Sequence, residues 1–112
     1  MWEVEFMTID TNQYYELSFQ IISNVGMAKS LAMEALYAAK EGNFEVVEEK
    51  LSESKKFYVE GHKMHASLIQ KEASGEKLDF SLMLMHAEDQ LMNVDTITLL
   101  VTEMIEMYKR FK

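Results

Sequence analysis

The chain has 112 residues and carries 19 acidic against 11 basic side chains, a formal net charge of −8. This balance excludes an electrostatic surface for nucleic acid and disfavours contact with anionic membranes, whereas it suits a partner with a basic surface. The absence of cysteine excludes disulfides and thiolate metal sites. The acidic N-terminus is unlike a signal peptide and no apolar run approaches ~18 residues, so we expect a cytoplasmic protein that does not insert into a membrane.

Two turn signals divide the chain, and we expect a single domain over residues 1–112. Gly42 is a helix stop, and Asn43 after it is the next predicted N-cap. The second turn lies around Gly75 and is followed by Asp79 or Ser81 as candidate caps of the third helix. No proline interrupts the segments between the turns. Residues 1–10 are expected to form an irregular N-terminal segment. Asp10, with Gln13 three residues later, resembles a capping box at the start of the first helix. The predicted helices cover residues 11–40, 44–73 and 80–111.

Each predicted helix has an apolar seam with steps of three and four residues, the period of a packed helix. The seam of the first helix consists of Leu17, Ile21, Val25, Ala28, Ala32, Ala35 and Ala39. The seam of the second helix consists of Phe44, Val47, Leu51, Ser54, Tyr58, Gly61, His65 and Leu68. The seam of the third helix consists of Leu84, Ala87, Leu91, Val94, Thr98, Val101, Ile105 and Tyr108. Three long helices with short turns predict an all-α fold, an antiparallel up-down-up three-helix bundle.

The third helix has a further line of residues, about 100° around its axis from the seam, which we call the second stripe. The second stripe consists of Leu82, His86, Asp89, Asn93, Ile97, Leu100 and Met104. It is polar towards the start of the helix and apolar towards its end. A helix with one packing partner needs one apolar stripe, so we expect this helix to pack inside its bundle and also against another chain.

His86 and Asp89 are three residues apart and therefore share a face of the third helix. A carboxylate beside an imidazole can orient the ring, keep it charged, or bind a metal ion next to it. From spacing alone, the simpler interpretation is a surface histidine with acidic neighbours. Two ligands do not make a metal site.

The other histidines indicate structural roles. His65 lies on the seam of the second helix, where we expect one hydrogen bond at the edge of the core. His62 lies one turn from Tyr58 and is expected to make a polar contact. The methionines around His86, which are Met83, Met85 and Met92, are interpreted as a mixture of core filler and adaptable docking surface.

Three sequence blocks together resemble one protein family, the lactose/cellobiose-type IIA component of the bacterial sugar phosphotransferase system. Residues 81–92, SLMLMHAEDQLM, are similar to the family pattern L-L-x-V-H-A-Q-D-H-L-M. Residues 26–36, GMAKSLAMEAL, are similar to G-x-A-R-S-x-A-x-E-A-L. Residues 61–75, GHKMHASLIQKEASG, are similar to A-H-x-x-Q-T-x-L-I-Q-x-E-A-x-G. The blocks occur in the family's order and cover roughly residues 11–110.

The resemblance implies a homotrimer of three-helix protomers that carries a phosphoryl group during uptake of a β-linked disaccharide. His86 takes the place of the family's phosphorylated histidine. The histidine phosphocarrier protein would donate the group, and a cysteine of the cognate IIB component would receive it. Asp89 takes the place of the aspartate that binds a metal ion between protomers, and its oxygen ligands suit Mg²⁺. The sugar stays open because the transporter component selects it.

Three residues depart from the family pattern. Glu88 stands where the family usually has Gln, Gln90 where it usually has His, and His65 where it usually has Gln. Glu88 and Gln90 lie close to His86, so partner preference and phosphohistidine lability are the properties that these departures would change. No basic residue lies beside His86 in the sequence, which predicts that the partners supply the positive charge for transfer.

Two other functions are open from the residues alone. In the first, the chain is a non-enzymatic helical interaction protein, and the second stripe is only an oligomer interface. The second is a metal-carboxylate bundle, which requires Glu-x-x-His pairs on facing helices. The segment Glu60-Gly-His62 has the wrong spacing, and no such pair occurs elsewhere. Labelling from the upstream phosphoryl cascade distinguishes a carrier from an interaction protein.

Overall fold

The computed structural model describes the backbone of residues 2–77 and 81–111 and the side chains of residues 13–77 and 81–111. It consists of three long helices, and the described residues contain no strand. The molecule is a rod of 66 × 19 × 18 Å. None of the described helices combines the length and hydrophobicity that crossing a membrane requires. The helices are α1 (Trp2–Lys40), α2 (Phe44–Ala73) and α3 (Leu82–Arg110).

The turns confirm the predicted helix ends. Gly42 has a φ of 80°, a left-handed conformation that ends α1 and that a side chain would strain. Asn43 is the N-cap of α2, although its side chain makes no capping hydrogen bond. Gly75, with a φ of 99°, follows the end of α2 in the same conformation.

The N-terminal prediction differs from the structure. Residues 1–10 were expected to be irregular, whereas α1 already begins at Trp2. Residues 2–10 contain neither proline nor glycine, so no residue there stops the helix from extending backwards. Glu3 and Glu5 also favour a helix start because acidic residues complement the positive end of the helix dipole. Met1 lies outside the described residues.

The helices form the predicted antiparallel bundle. The ion pair between Lys50 and Glu34, at 2.9 Å, joins α2 to α1. The ion pair between Lys109 and Glu48, at 3.1 Å, joins the end of α3 to the start of α2. Both pairings require consecutive helices to run in opposite directions, so α3 lies parallel to α1. α2 and α3 each pack closely on α1 and contact one another much less.

The core is made by the three predicted seams. Fully buried side chains of α1 include Ile21, Val25, Ala28, Ala32, Ala35 and Ala39. Its alanines allow the neighbouring helices to approach closely. The clearest close approach is at Gly61 of α2, which is buried against α1. Two serines are buried with these residues, Ser18 and Ser54, and the Ser54 hydroxyl donates to the Ala28 carbonyl oxygen at 2.7 Å.

Candidate functional site

The start of α3 is fixed by a side-chain cap. Ser81 has an extended backbone, and its hydroxyl accepts a hydrogen bond from the Leu84 backbone N–H at 3.0 Å. Ser81 was one of two predicted caps; the other, Asp79, lies outside the described residues. The cap places His86 in the second turn of α3, where backbone hydrogen bonds hold its Cα while the side chain stays outside the core.

His86 and Asp89 are both exposed on α3. Neither side chain makes a hydrogen bond or an ion pair with any residue that the structure describes, and no bond joins one to the other. Of the uses considered for the pair, orientation of the ring by the carboxylate is therefore absent in this protomer. The imidazole is open to a reactant from solution, and the Asp89 carboxylate is free to take a ligand from outside the chain.

Methionines surround His86 at the surface. Met83, Met85 and Met92 are exposed by 39%, 52% and 69%, and Leu82 by 78%. The core-filler interpretation of these methionines is therefore wrong. A polarizable, flexible side chain adapts to a partner's shape, so the surroundings of His86 have the composition of a docking surface.

The apolar half of the second stripe is also largely exposed. Leu100 is 53% and Met104 is 43% exposed. Ile97 behaves differently, because it is half-buried and packs against the core next to Val101. Ile97 therefore lies at the edge of the core, and its grouping with the exposed residues of the second stripe is wrong. Met104 also lines an apolar groove of about 430 Å³, together with Leu36, Lys40, Met107, Tyr108 and Phe111.

Polar contacts bridge α2 and α3 on the side of α3 away from His86. The His65 Nε2 lies 3.3 Å from a Glu88 carboxylate oxygen. The Tyr58 hydroxyl donates to the Asp95 carboxylate at 2.6 Å, and this hydrogen bond, with partial burial, raises the pKa of Tyr58 to about 12. His62 is exposed and its ring lies 5.9 Å from that of Tyr58. The expected hydrogen bond of His65 is present, whereas His62 makes a ring contact with Tyr58 and no hydrogen bond to a described residue.

The described residues of one chain contain no cluster of three histidine or acidic side chains that could hold a metal ion. Asp89 is the only carboxylate on the second stripe, so one copy supplies one ligand. A cation at this position would need carboxylates from further copies of the chain. An exposed, unpaired aspartate fits that arrangement chemically, since oxygen donors suit a hard cation and water completes its shell.

Comparison with known proteins places the chain and its fold in one family. The family model described as "PTS system, Lactose/Cellobiose specific IIA subunit" matches residues 16–109, which is most of the chain. The chain belongs to this family of phosphotransferase-system IIA subunits. The lichenan-specific phosphotransferase enzyme IIA component of Bacillus subtilis is 40% identical over 85% of this chain and 86% of its own length.

Solved structures agree with the family assignment. The cellobiose-specific enzyme IIA of Bacillus anthracis has a TM-score of 0.84 and 43% identity, covering 86% of this chain and 88% of its own. The IIA(Chitobiose) protein of Escherichia coli, solved in complex with HPr, has a TM-score of 0.75 and 32% identity, covering 88% and 95%. As a member of the IIA family, the chain is a phosphotransferase component that carries a phosphoryl group. This excludes the non-enzymatic interaction protein that the residues alone left open.

The contact between His65 and Glu88 was not anticipated from the sequence of this IIA subunit. Both residues were recognised separately as departures from the family pattern, on different helices and 23 positions apart. The sequence signal for this contact was that two departures from the family pattern, a histidine and a glutamate, lie on neighbouring antiparallel helices and can bind one another. Pairing them requires the register between α2 and α3, which a helical period within one segment does not provide.

Proposed function

We propose that the chain accepts a phosphoryl group on His86 from the histidine phosphocarrier protein. The observation that carries this proposal is the exposed, unpaired imidazole of His86 within a rim of exposed methionines. The complex of the similar IIA(Chitobiose) protein with HPr supports the identity of the donor. We further propose that the group passes to a cysteine of the cognate IIB component in the cytoplasm, during uptake of a β-linked disaccharide.

Each step is an in-line transfer between nucleophiles. A neutral ring nitrogen of His86 attacks the phosphorus of the donor's phosphohistidine, the donor's P–N bond breaks, and the donor imidazole leaves. In the second step the IIB thiolate attacks the same phosphorus, a P–S bond forms, and His86 is released as the neutral imidazole. Within the described residues no Lys or Arg forms an ion pair with Glu88 or Asp89, which agrees with positive charge supplied by the partners.

Negative charge around His86 favours onward transfer. Phosphorylation adds about −1.5 to −2 charges close to the carboxylates of Glu88 and Asp89. Repulsion between these groups raises the free energy of the phosphorylated form, and giving the group to IIB relieves it. A carrier requires this balance because it must release the group as readily as it accepts it.

The test is labelling by phosphoenolpyruvate and the purified upstream cascade. The wild-type chain should gain one acid-labile phosphoryl group, and His86→Ala should gain none while keeping its helical circular dichroism. His62→Ala is the matched control, since His62 is also an exposed histidine and the proposal gives it no part in phosphoryl transfer. Labelling that persists in His86→Ala, or is lost in a folded His62→Ala, would show that the wrong histidine was chosen.

We also propose a homotrimer built on the second stripe of α3. Its exposed apolar side chains, Leu100 and Met104, leave a patch that a solitary bundle would present to water. Leu100→Asp should dissociate the assembly because it places a charge in the interface. Leu99→Asp is the matched control, since Leu99 is 70% exposed but lies outside the second stripe. A monomeric mass for the wild-type chain by light scattering at micromolar concentration contradicts the proposal.

A shared Mg²⁺ at Asp89 is the last part of the proposal. Three copies related by a threefold axis through the second stripe would bring three Asp89 carboxylates together, and a cation would offset their repulsion. Bound there, the ion would join protomers and reduce the negative charge near His86. Chelation should lower the thermal stability of the wild-type trimer and leave Asp89→Asn unaffected. If chelation leaves the stability unchanged and elemental analysis finds no metal, the proposal of a bound ion is contradicted, whereas the proposal of phosphoryl transfer is not.

A further inference from the structure

A histidine and a carboxylate meet across the gap between α2 and α3 close to the proposed phosphorylation site. The Nε2 of His65 lies 3.3 Å from Oε1 of Glu88, with the two side chains 20% and 51% exposed. The ring nitrogen donates to the carboxylate, because an ionised carboxylate can only accept a hydrogen bond. His65 makes no other hydrogen bond to a described residue. The contact therefore defines the direction in which the Glu88 side chain extends.

The pair has a particular place along α3. Of the side-chain bridges described between α2 and α3, those at Tyr58 and Lys109 join the middle and the end of α3. The contact of His65 with Glu88 is the bridge nearest to the start of α3, only two residues beyond His86. α2 and α3 pack little on one another directly, and this bridge is the one side-chain hydrogen bond that the structure describes between α2 and the start of α3.

Glu88 and His86 point to opposite sides of α3. Residues two apart in a helix are separated by about 200° around its axis. The helix with its side chains is ~10–12 Å in diameter. Glu88 faces α2, so His86 faces away from it. The carboxylate is thus about 10 Å from a group on His86, close enough for its charge to act through space at low salt and too far for contact.

We propose that His65 is a positioning residue that acts through Glu88 and sets the phosphoryl-transfer equilibrium at His86. By holding the carboxylate towards α2, the ring keeps that negative charge as far from the phosphoryl group as the helix allows. The inference rests on the proposed role of His86 and deepens it. His65 and Glu88 form a matched pair, in which the histidine restrains the charge that the glutamate introduces.

The experiment is a double-mutant cycle on the equilibrium constant for transfer from the phosphorylated histidine phosphocarrier protein. The variants are His65→Leu, Glu88→Gln and the combination of both. Glu103→Gln is the matched control for charge, since Glu103 is an exposed carboxylate of α3 more than three turns further along. Thermal unfolding of each variant measures its structural effect separately.

Glu88→Gln should raise the equilibrium constant about twofold at ~0.01 M salt, because one negative charge about 10 Å from the dianionic group is removed. His65→Leu, which has no donor, should lower it by up to about twofold, because the carboxylate loses its restraint. In the Glu88→Gln background the same histidine substitution should have no effect. Both shifts should disappear at ~1 M salt, where the Debye length is ~3 Å. His65→Gln retains an uncharged N–H donor for the carboxylate and should behave like wild type.

Three results would overturn the inference. One is a His65→Leu effect of equal size with and without Glu88, and another is a shift that high salt leaves unchanged. The third is a fall in thermal stability in the single variants with no change in transfer, which would make the pair structural only. Failure of the proposed function is recognised separately, because the wild-type chain itself would then take no label or His86→Ala would keep it.

Discussion

The close approach of α2 to α1 at Gly61 makes a quantitative prediction about stability. A Cβ added to Gly61 would lie 3.0 Å from Cγ1 of Val25 and 3.6 Å from Cβ of Asn24. Val25 is fully buried, so it has little room to move away. Gly26 provides the comparison, because it also lies inside a helix and a Cβ there would meet nothing within 4 Å.

Alanine substitution at either glycine gives the same gain in helix stability, but only at Gly61 does the new methyl group crowd the core. Replacing a helical glycine with alanine stabilises the folded state by ~1 kcal/mol, since the unfolded chain loses conformational freedom. At Gly61 the new methyl group also overpacks the core, which costs ~1–3 kcal/mol. The shared helix term cancels in the difference between Gly26→Ala and Gly61→Ala. Gly61→Ala should therefore be less stable than Gly26→Ala by ~1–3 kcal/mol, or roughly 4–12 °C in Tm.

The assay is urea unfolding followed by circular dichroism, with both variants at the same subunit concentration. Equal concentration matters because dissociation of an oligomer makes apparent stability concentration-dependent. Gly26→Ala alone should be more stable than wild type. A Gly61→Ala variant as stable as Gly26→Ala would show that Val25 yields without cost and that the approach is not tight. A destabilised Gly26→Ala would show that another chain covers Gly26.

Three further predictions concern single hydrogen bonds. Ser81→Ala removes the cap of α3 and should cost ~1 kcal/mol by chemical unfolding, whereas Ser74→Ala, after the end of α2, should cost less. Ser54→Ala removes a buried hydroxyl that donates to a carbonyl of α1, and should cost ~0.5–1.5 kcal/mol in the same assay. Tyr58 should ionise near pH 12 by ultraviolet absorbance, and Asp95→Asn should bring its pKa back towards 10. The raised pKa means that the Tyr58 contribution to stability is present below pH ~10 and is lost as the pH rises to ~12.

The helices were predictable because each carries a continuous apolar period. α2 was predicted at 44–73 and observed at Phe44–Ala73, and α3 was predicted at 80–111 and observed at Leu82–Arg110. α1 was predicted too short because Asp10 was taken as a cap, whereas the helix passes through that position. A capping residue is a local preference, and it does not end a helix when the preceding residues are also compatible with one.

The candidate site was only partly predictable. The position of His86 on an outer face of α3 follows from its place in the helical period, and its exposure agrees. The contact between His65 and Glu88 does not follow, because it depends on how far α2 is shifted along α3. The same register determines that Tyr58 meets Asp95. Ile97 shows a related limit, since a residue between two stripes is buried or exposed according to the tilt of the helix, which the sequence pattern does not give.

The three faces of α3 separate stability from chemistry. One face supplies core residues such as Leu91 and Val94, the second bridges to α2 through Glu88, and the third presents His86 to a partner. Because the His86 side chain touches neither the core nor a described hydrogen-bond partner, it is replaceable without a cavity or an orphaned polar group. Loss of activity in His86→Ala should therefore come without loss of fold. Glu88 alone belongs to a bridge and lies near the reacting group, so substitution there is the one expected to change stability and transfer together.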